Sequence, residues 1–185
     1  MCCVQYAAPM MVLGRLGTEL HEEAVHNILN LRAAVVVATV EALGGSPVDI
    51  QTTATFNSRT DEFEINCPGD VFKAAAAALD YRIKYAIITA KVISSVLRIE
   101  MPAGEAEQRE VREFGTHAFL CRIRGNDGEL FPGVEVVAGG TTAVSLRFEH
   151  FCVPRCALLN RKAQVSRSGE YTTEYVCPCV CCRET

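Results

Sequence analysis

The stretch RIKYAIITAKVISSVLRIEM, Arg82 to Met101, constrains the fold more than any other. Isoleucine, valine, threonine and tyrosine dominate it, and such stiff or flat side chains favour extended backbone over helix. The stretch predicts one long strand or a strand pair. RAAVVVATVEAL, Arg32 to Leu43, has the same character and is broken off by the turn signal GGSP. VDIQTTATFNSRTDEFEINC predicts two strands joined at NSRTD, and GVEVVAGGTTAVSLRFEHFCV returns to strand character.

Helical spacing appears between these runs. TELHEEAVHNILNL places Leu20, Ala24, Val25, Ile28 and Leu31 on one face, with Thr18 as an N-cap. PGDVFKAAAAALDY predicts a helix from its alanine run and Asp70 near the start. AGEAEQREVREF is charged and helix-prone, and RCALLNRKAQV predicts a short helix. The 185 residues suit one compact domain or two small similar halves, and 49% hydrophobic content is enough for a real core.

Charge and cysteine usage narrow the function classes. A net charge of −4 argues against a protein held to nucleic acid mainly by phosphate contacts. No apolar run approaches the ~20 residues that span a bilayer, and the first residues lack the pattern of a signal peptide. Ten cysteines without a secretory signal point to a reducing compartment. Cys152, Cys156, Cys179 and Cys182 are the candidates for a tetrahedral zinc site, whose spacing resembles a zinc ribbon; the competing reading is a reactive thiol tail. The four histidines form no metal-ligand spacing, and no phosphate loop, nucleophile elbow or Cys-His signature is present, so no enzyme is expected.

Internal similarity organises the chain. VQYAAPMM resembles IKYAIITA, pairing Tyr6 with Tyr85, and GGSPVDIQTTATF resembles GGTTAVSLRF, each ending in a phenylalanine, Phe56 and Phe148. This order predicts a first repeat over 1–81, a second over 82–160 and a Cys-rich tail over 161–185. Phe131, beside the Pro-Gly turn of GELFPG, reads either as a loop anchor or as a ring held out at a tip.

ELFPG, the segment TTATFNSRTDEFEINC and the link LDYRIKYAIITAKVISSVLRIE resemble the TATA-box-binding protein family. The resemblance implies an α+β fold in which two pseudo-symmetric repeats form a curved antiparallel sheet, a saddle with helices on its convex face. It implies a transcription initiation factor that bends the minor groove of double-stranded, AT-rich DNA with apolar wedges at Phe56, Phe131 and Phe148. Tyr6 and Tyr85 stand where the family reads the groove with asparagines. Glu129 and Leu130 match the stirrup that meets transcription factor IIB, in the setting of the RNA polymerase machinery. The family has no cofactor, acts in the nucleus or at a site of viral transcription, and implies no membrane. Its central basic residues are missing here, which leaves a protein-interaction scaffold without DNA binding, or a zinc-ribbon-bearing factor, as the alternatives.

Overall fold

The computed structural model of the chain describes residues 4–43, 46–75, 83–97, 109–139 and 143–173. Two helices come first, α1 (Val4–Leu16) and α2 (Glu22–Leu29), with a 3-10 turn at Glu19–His21 between them. The strands β1 (Ala34–Ala38), β2 (Val40–Leu43), β3 (Ser46–Val48), β4 (Thr53–Asn57), β5 (Glu62–Asn66) and β6 (Phe72–Ala75) follow. The long pair β7 (Ile83–Leu97) and β8 (Arg109–Arg122) precedes β9 (Val134–Gly139), β10 (Ala143–Phe148) and β11 (Phe151–Pro154). A small hairpin of β12 (Ala163–Val165) and β13 (Tyr171–Thr173) ends the described residues.

The first sheet runs β1-β7-β4-β5-β11, with β8 also paired to β7. Because β8 lines β7 from Leu97 back to Tyr85, β1 and β4 share the other edge, each parallel to β7. The second sheet runs β3-β2-β6-β10-β9 with antiparallel pairs. Strands from 1–81 and from 82–160 interleave in the first sheet, and in the second β6 of the former pairs with β10 of the latter. The fold is α+β, but the saddle is overturned: the larger sheet is mixed, and the chain crosses between sheets at Thr39, where β1 passes into β2.

The isoleucine-rich run is explained by burial on both faces of β7, as in strands covered on two sides. Ala86, Ile88, Ala90 and Val92 enter the main core between the sheets. Ile87 and Tyr85 face the opposite way, against Leu13 and Met10 of α1 and Ile28 of α2. Tyr6, Met10 and Leu13 recur at the spacing of one helix face, which lays α1 on β1 and β7. Tyr6 is therefore helical and Tyr85 lies in a strand; the two share one apolar cluster and are not equivalents in a repeat.

Where the residues are described, three expected helices are strands or turns; 76–81 and 103–108 of the first two lie outside the described residues. The alanine run begins in β6, because pairing to β2 and β10 on either side outweighs alanine's modest helix preference. Residues 109–114 of the charged segment belong to β8, and within RCALLNRKAQV only Arg155–Ala157 forms a 3-10 turn.

A buried ion pair between neighbouring strands of the second sheet ties that sheet to the first through its further hydrogen bonds. Lys73 of β6 and Glu41 of β2 are fully buried, with Nζ 2.6 Å from Oε1. Glu41 also accepts the backbone N–H groups of Gln51 (2.5 Å) and Thr52 (3.0 Å). Lys73 donates to the Thr89 carbonyl of β7, and the Thr89 hydroxyl donates to the Thr39 carbonyl at 2.9 Å. Burial raises the Glu41 carboxyl, but Lys73, Thr52 and Gln51 outweigh it and hold it below its ordinary value; burial lowers the Lys73 ammonium. Removing one partner leaves an uncompensated buried charge. Lys73→Met is expected to lower the unfolding free energy by about 3–5 kcal/mol in urea titrations. A loss below about 1 kcal/mol, the range of an exposed pair, would contradict this.

Candidate functional site

A concavity of about 580 Å³ lies where α2, the turn after β8 and β11 meet. Its position follows from the segment after β11, which clamps the helices to the sheet. Leu159 N–H donates to the Ala118 carbonyl of β8, and Arg161 donates its N–H to Leu16 and its Nε–H to Gly17. Thr18, just before the 3-10 turn, donates its hydroxyl to Asn160 at 2.6 Å and its N–H to His21 Nδ1 at 3.1 Å. The floor is Leu120 of β8 and Tyr85 of β7; Leu20 and Ala24 form one wall, Phe131 and Pro132 the other.

The Phe131 wall is set by backbone. Its N–H donates to Ile123 at 3.0 Å, and Leu130 bridges to Arg124 while packing on the main core. Gly133 has φ +83, and a Cβ there would strike the Glu149 carbonyl and the Phe151 backbone, so the turn demands glycine. The Phe131 ring stays 37% exposed, with the Arg122 guanidinium 5.9 Å from its centroid. Arg122 and Tyr85 also border a second, polar groove of about 260 Å³, which adds Arg32, Lys84 and Asn126 and one carboxylate, Glu23.

Burial shifts two titratable groups of the cleft, His21 and Cys152. His21, 4% exposed, takes a hydrogen bond at Nδ1, so its proton sits on Nε2, which makes no hydrogen bond among the described residues. Burial lowers its pKa from 6.5, against the raising influence of nearby backbone groups. Burial, with Glu62 and Glu64 adding to it, raises the Cys152 thiol. His150 Nδ1 lies 2.7 Å from Glu64 in an exposed pair. Away from the cleft, burial also lowers His117, whose Nε2 meets the Phe114 carbonyl at 3.1 Å.

The expected site residues are scattered by this fold. Phe56 and Phe148 are core rings, 6% and 0% exposed. Phe56 packs 5.1 Å from Phe63, and Phe148 stacks 5.5 Å from Phe151. Neither presents a face to a base step, since the strand alternation that carries them points them between the sheets. Phe131 and Tyr85 do meet, in the cleft. Glu129 is exposed at the turn, its N–H held by Asp127, and Leu130 is half buried. Cys152 and Cys156 are free thiols at the cleft's rim, whereas Cys179 and Cys182 lie outside the described residues. Glu41 and Lys73 were not singled out. The signal for both was a lone charge of opposite sign inside each of two apolar runs.

No protein-family model matches the chain. It is 33% identical over 180 residues to the peroxisomal acyl-coenzyme A oxidase 2 of Arabidopsis thaliana, covering 92% of the chain and 25% of that protein. Its fold matches an acyl-CoA oxidase from tomato with a TM-score of 0.71 at 24% identity, over 88% of this chain and 25% of the other. It also matches Caenorhabditis elegans acyl-CoA oxidase-1 complexed with FAD and ATP, with a TM-score of 0.74 at 20% identity, over 92% and 26%. The chain thus spans about a quarter of the proteins it resembles.

These findings overturn the TATA-box-binding protein resemblance. The short matching motifs reflect shared turn and strand chemistry, whereas the similarity to oxidases runs through nearly the whole chain. A transcription initiation factor is replaced by oxidoreductase relatives, and the expectation of no enzyme falls with it. So do the DNA, transcription factor IIB and polymerase partners, since the relatives are named for acyl-CoA. The expectation of no cofactor, or of zinc, gives way to a neighbour solved with FAD, and a nuclear or viral setting to a peroxisomal relative.

Two imidazoles, the buried His21 and the half-buried His117, set an acid limb. Both folded-state pKa values lie below 6.5, so the folded protein binds fewer protons than the unfolded chain, and stability falls as pH drops through 6.5 towards them. Urea midpoints are expected to fall between pH 7 and pH 5 and to flatten in the His21→Asn/His117→Gln double variant. An equally steep decline in that variant would contradict the assignment.

Proposed function

We propose that this chain contributes the two-sheet portion of an acyl-CoA oxidase, a peroxisomal flavoenzyme that oxidises fatty acyl chains carried as CoA thioesters. The observation that carries the reading is 33% identity over 92% of the chain to a peroxisomal acyl-CoA oxidase. The fold agrees, since solved acyl-CoA oxidases align with TM-scores above 0.7.

When bound, FAD supplies the two-electron acceptance that such an oxidation requires. The described residues alone do not fit a whole dinucleotide. A pyrophosphate is ordinarily cradled by backbone N–H groups at a helix N-terminus. Here the first turn of α2 carries Glu22 and Glu23, which repel an anion. Gly44 and Gly45 lie outside the described residues. The flavin and the thioester are therefore assigned jointly to this portion and to the further three quarters of length that the relatives possess. What this chain provides is a rigid platform, its two sheets locked by Glu41 and Lys73.

A replacement experiment tests the reading. This chain is put in place of the matching quarter of Arabidopsis acyl-CoA oxidase 2. The chimera is expected to purify with visible flavin absorbance and to produce hydrogen peroxide when given an acyl-CoA, whereas the 185-residue chain mixed with FAD does neither. A chimera that melts cooperatively but is colourless, or that never folds while its parent does, contradicts the proposal.

A further inference from the structure

The cleft beside α2 has two unlike compartments that share a border. Its main chamber is walled by Leu20, Ala24, Leu120, Phe131 and Pro132 and, at about 580 Å³, falls in the ordinary range of small-molecule sites, roughly 300–1,000 Å³. The adjoining groove is cationic, with Arg32, Lys84 and Arg122 facing the one carboxylate of Glu23. Arg122 and Tyr85 line both.

We propose that this cleft binds a single-chain amphiphile with an anionic head: the hydrocarbon chain lies in the chamber, and a phosphate or carboxylate head reaches the groove across Arg122. The charge arrangement selects the head. Arg122 commits Nε to the Arg124 carbonyl at 3.2 Å and Nη2 to the Asn126 side chain at 2.7 Å, which holds the guanidinium in place. Nη1 is left without a partner among the described residues. The side chains of Arg32 and Lys84 likewise carry no hydrogen bond or ion pair among the described residues. A fixed fork with a free N–H suits an anionic oxygen, and two further cations outweigh Glu23.

The chamber selects the tail. Its floor and walls are mainly apolar side chains from α2, β8 and the Phe131 turn, and His21 adds a buried Nε2–H that has no partner among the described residues. His150 is paired with Glu64, and burial lowers the pKa of His21. An uncharged alcohol of the same length would fill the chamber but leave the groove's cations without a counter-charge. Inorganic phosphate would meet the cations but leave the chamber wet.

The inference stands on the cleft and not on the oxidase reading. A colourless chimera leaves it untouched, and an empty cleft leaves the flavin result untouched. Calorimetric titration of the 185-residue chain uses dodecyl phosphate, dodecanoic acid, dodecanol and inorganic phosphate as probes. The first two are expected to bind one per chain; their order of affinity tells a phosphate head from a carboxylate. Dodecanol is expected to bind about tenfold more weakly or less, the scale of one hydrogen bond to a charged group, and inorganic phosphate to give no saturable heat. Arg122→Gln is expected to reduce dodecyl phosphate affinity about tenfold or more, with dodecanol unaffected and the melting curve unchanged. Ala24→Phe, which fills the chamber, is expected to abolish binding of every chain. If Arg122→Gln perturbs folding, Lys84→Gln carries the same charge test. Absence of binding, equal affinity for dodecanol and dodecyl phosphate, or indifference to both charge variants overturns the proposal and leaves the cleft as a surface for another protein segment.

Discussion

Everything that places the cleft depends on two sheets being held in a fixed relation, and a buried lysine–glutamate pair holds them. Taking two charges out of water costs several kcal/mol per ion, and their attraction recovers this only where the remaining polar atoms are also satisfied. Here they are. Glu41 accepts two backbone N–H groups besides the ammonium, and Lys73 reaches the Thr89 carbonyl on the other sheet. The pair is therefore less a source of stability than a source of register. It fixes where the chain leaves β3 for β4 and which carbonyl of β7 stands opposite β6.

That register is transmitted outward through β7. The strand buries Ile88 and Val92 towards the main core and Ile87 towards the helices, so any slip would move both sets together. β8 follows β7 along its length, and Leu120 and Arg122 are delivered to the cleft from its last residues. The helices are set from the same strand and clamped by the segment around Leu159 and Arg161. The cleft is thus a consequence of strand register on one side and of helix docking on the other. Its only self-determined wall is the Phe131 turn, where Gly133 is required by a left-handed backbone and by the closeness of Glu149 and Phe151.

Much of the strand content was legible in the sequence. β-branched runs marked β1, β7 and β10, and the NSRTD turn marked the β4–β5 hairpin, because these signals are local. The alanine run misled for the opposite reason. Alanine's preference for helix is small, and nothing within Phe72–Ala75 reveals that β2 and β10 will pair with it on both sides. The strand periodicity that brings Phe56 and Phe148 to the core was visible too, but alternation alone does not say which face is covered. The apparent kinship of Tyr6 and Tyr85 rested on a few apolar letters shared by a helix and a strand. For the site, Phe131 could be picked out from its turn, whereas Arg122, Lys84 and Arg32 come from three separate segments and are gathered only by the fold.

The central claim is that the Glu41–Lys73 pair locks one sheet to the other, and native-state hydrogen exchange reads this most directly. The amides of Gln51 and Thr52, which lie outside any strand and are held only by the Glu41 carboxylate, are expected to exchange as slowly as the amides of β7. Exchange of those two amides at the rate of exposed loop residues, with β7 still protected, would show that the carboxylate does not hold them and that the pair does not lock one sheet to the other.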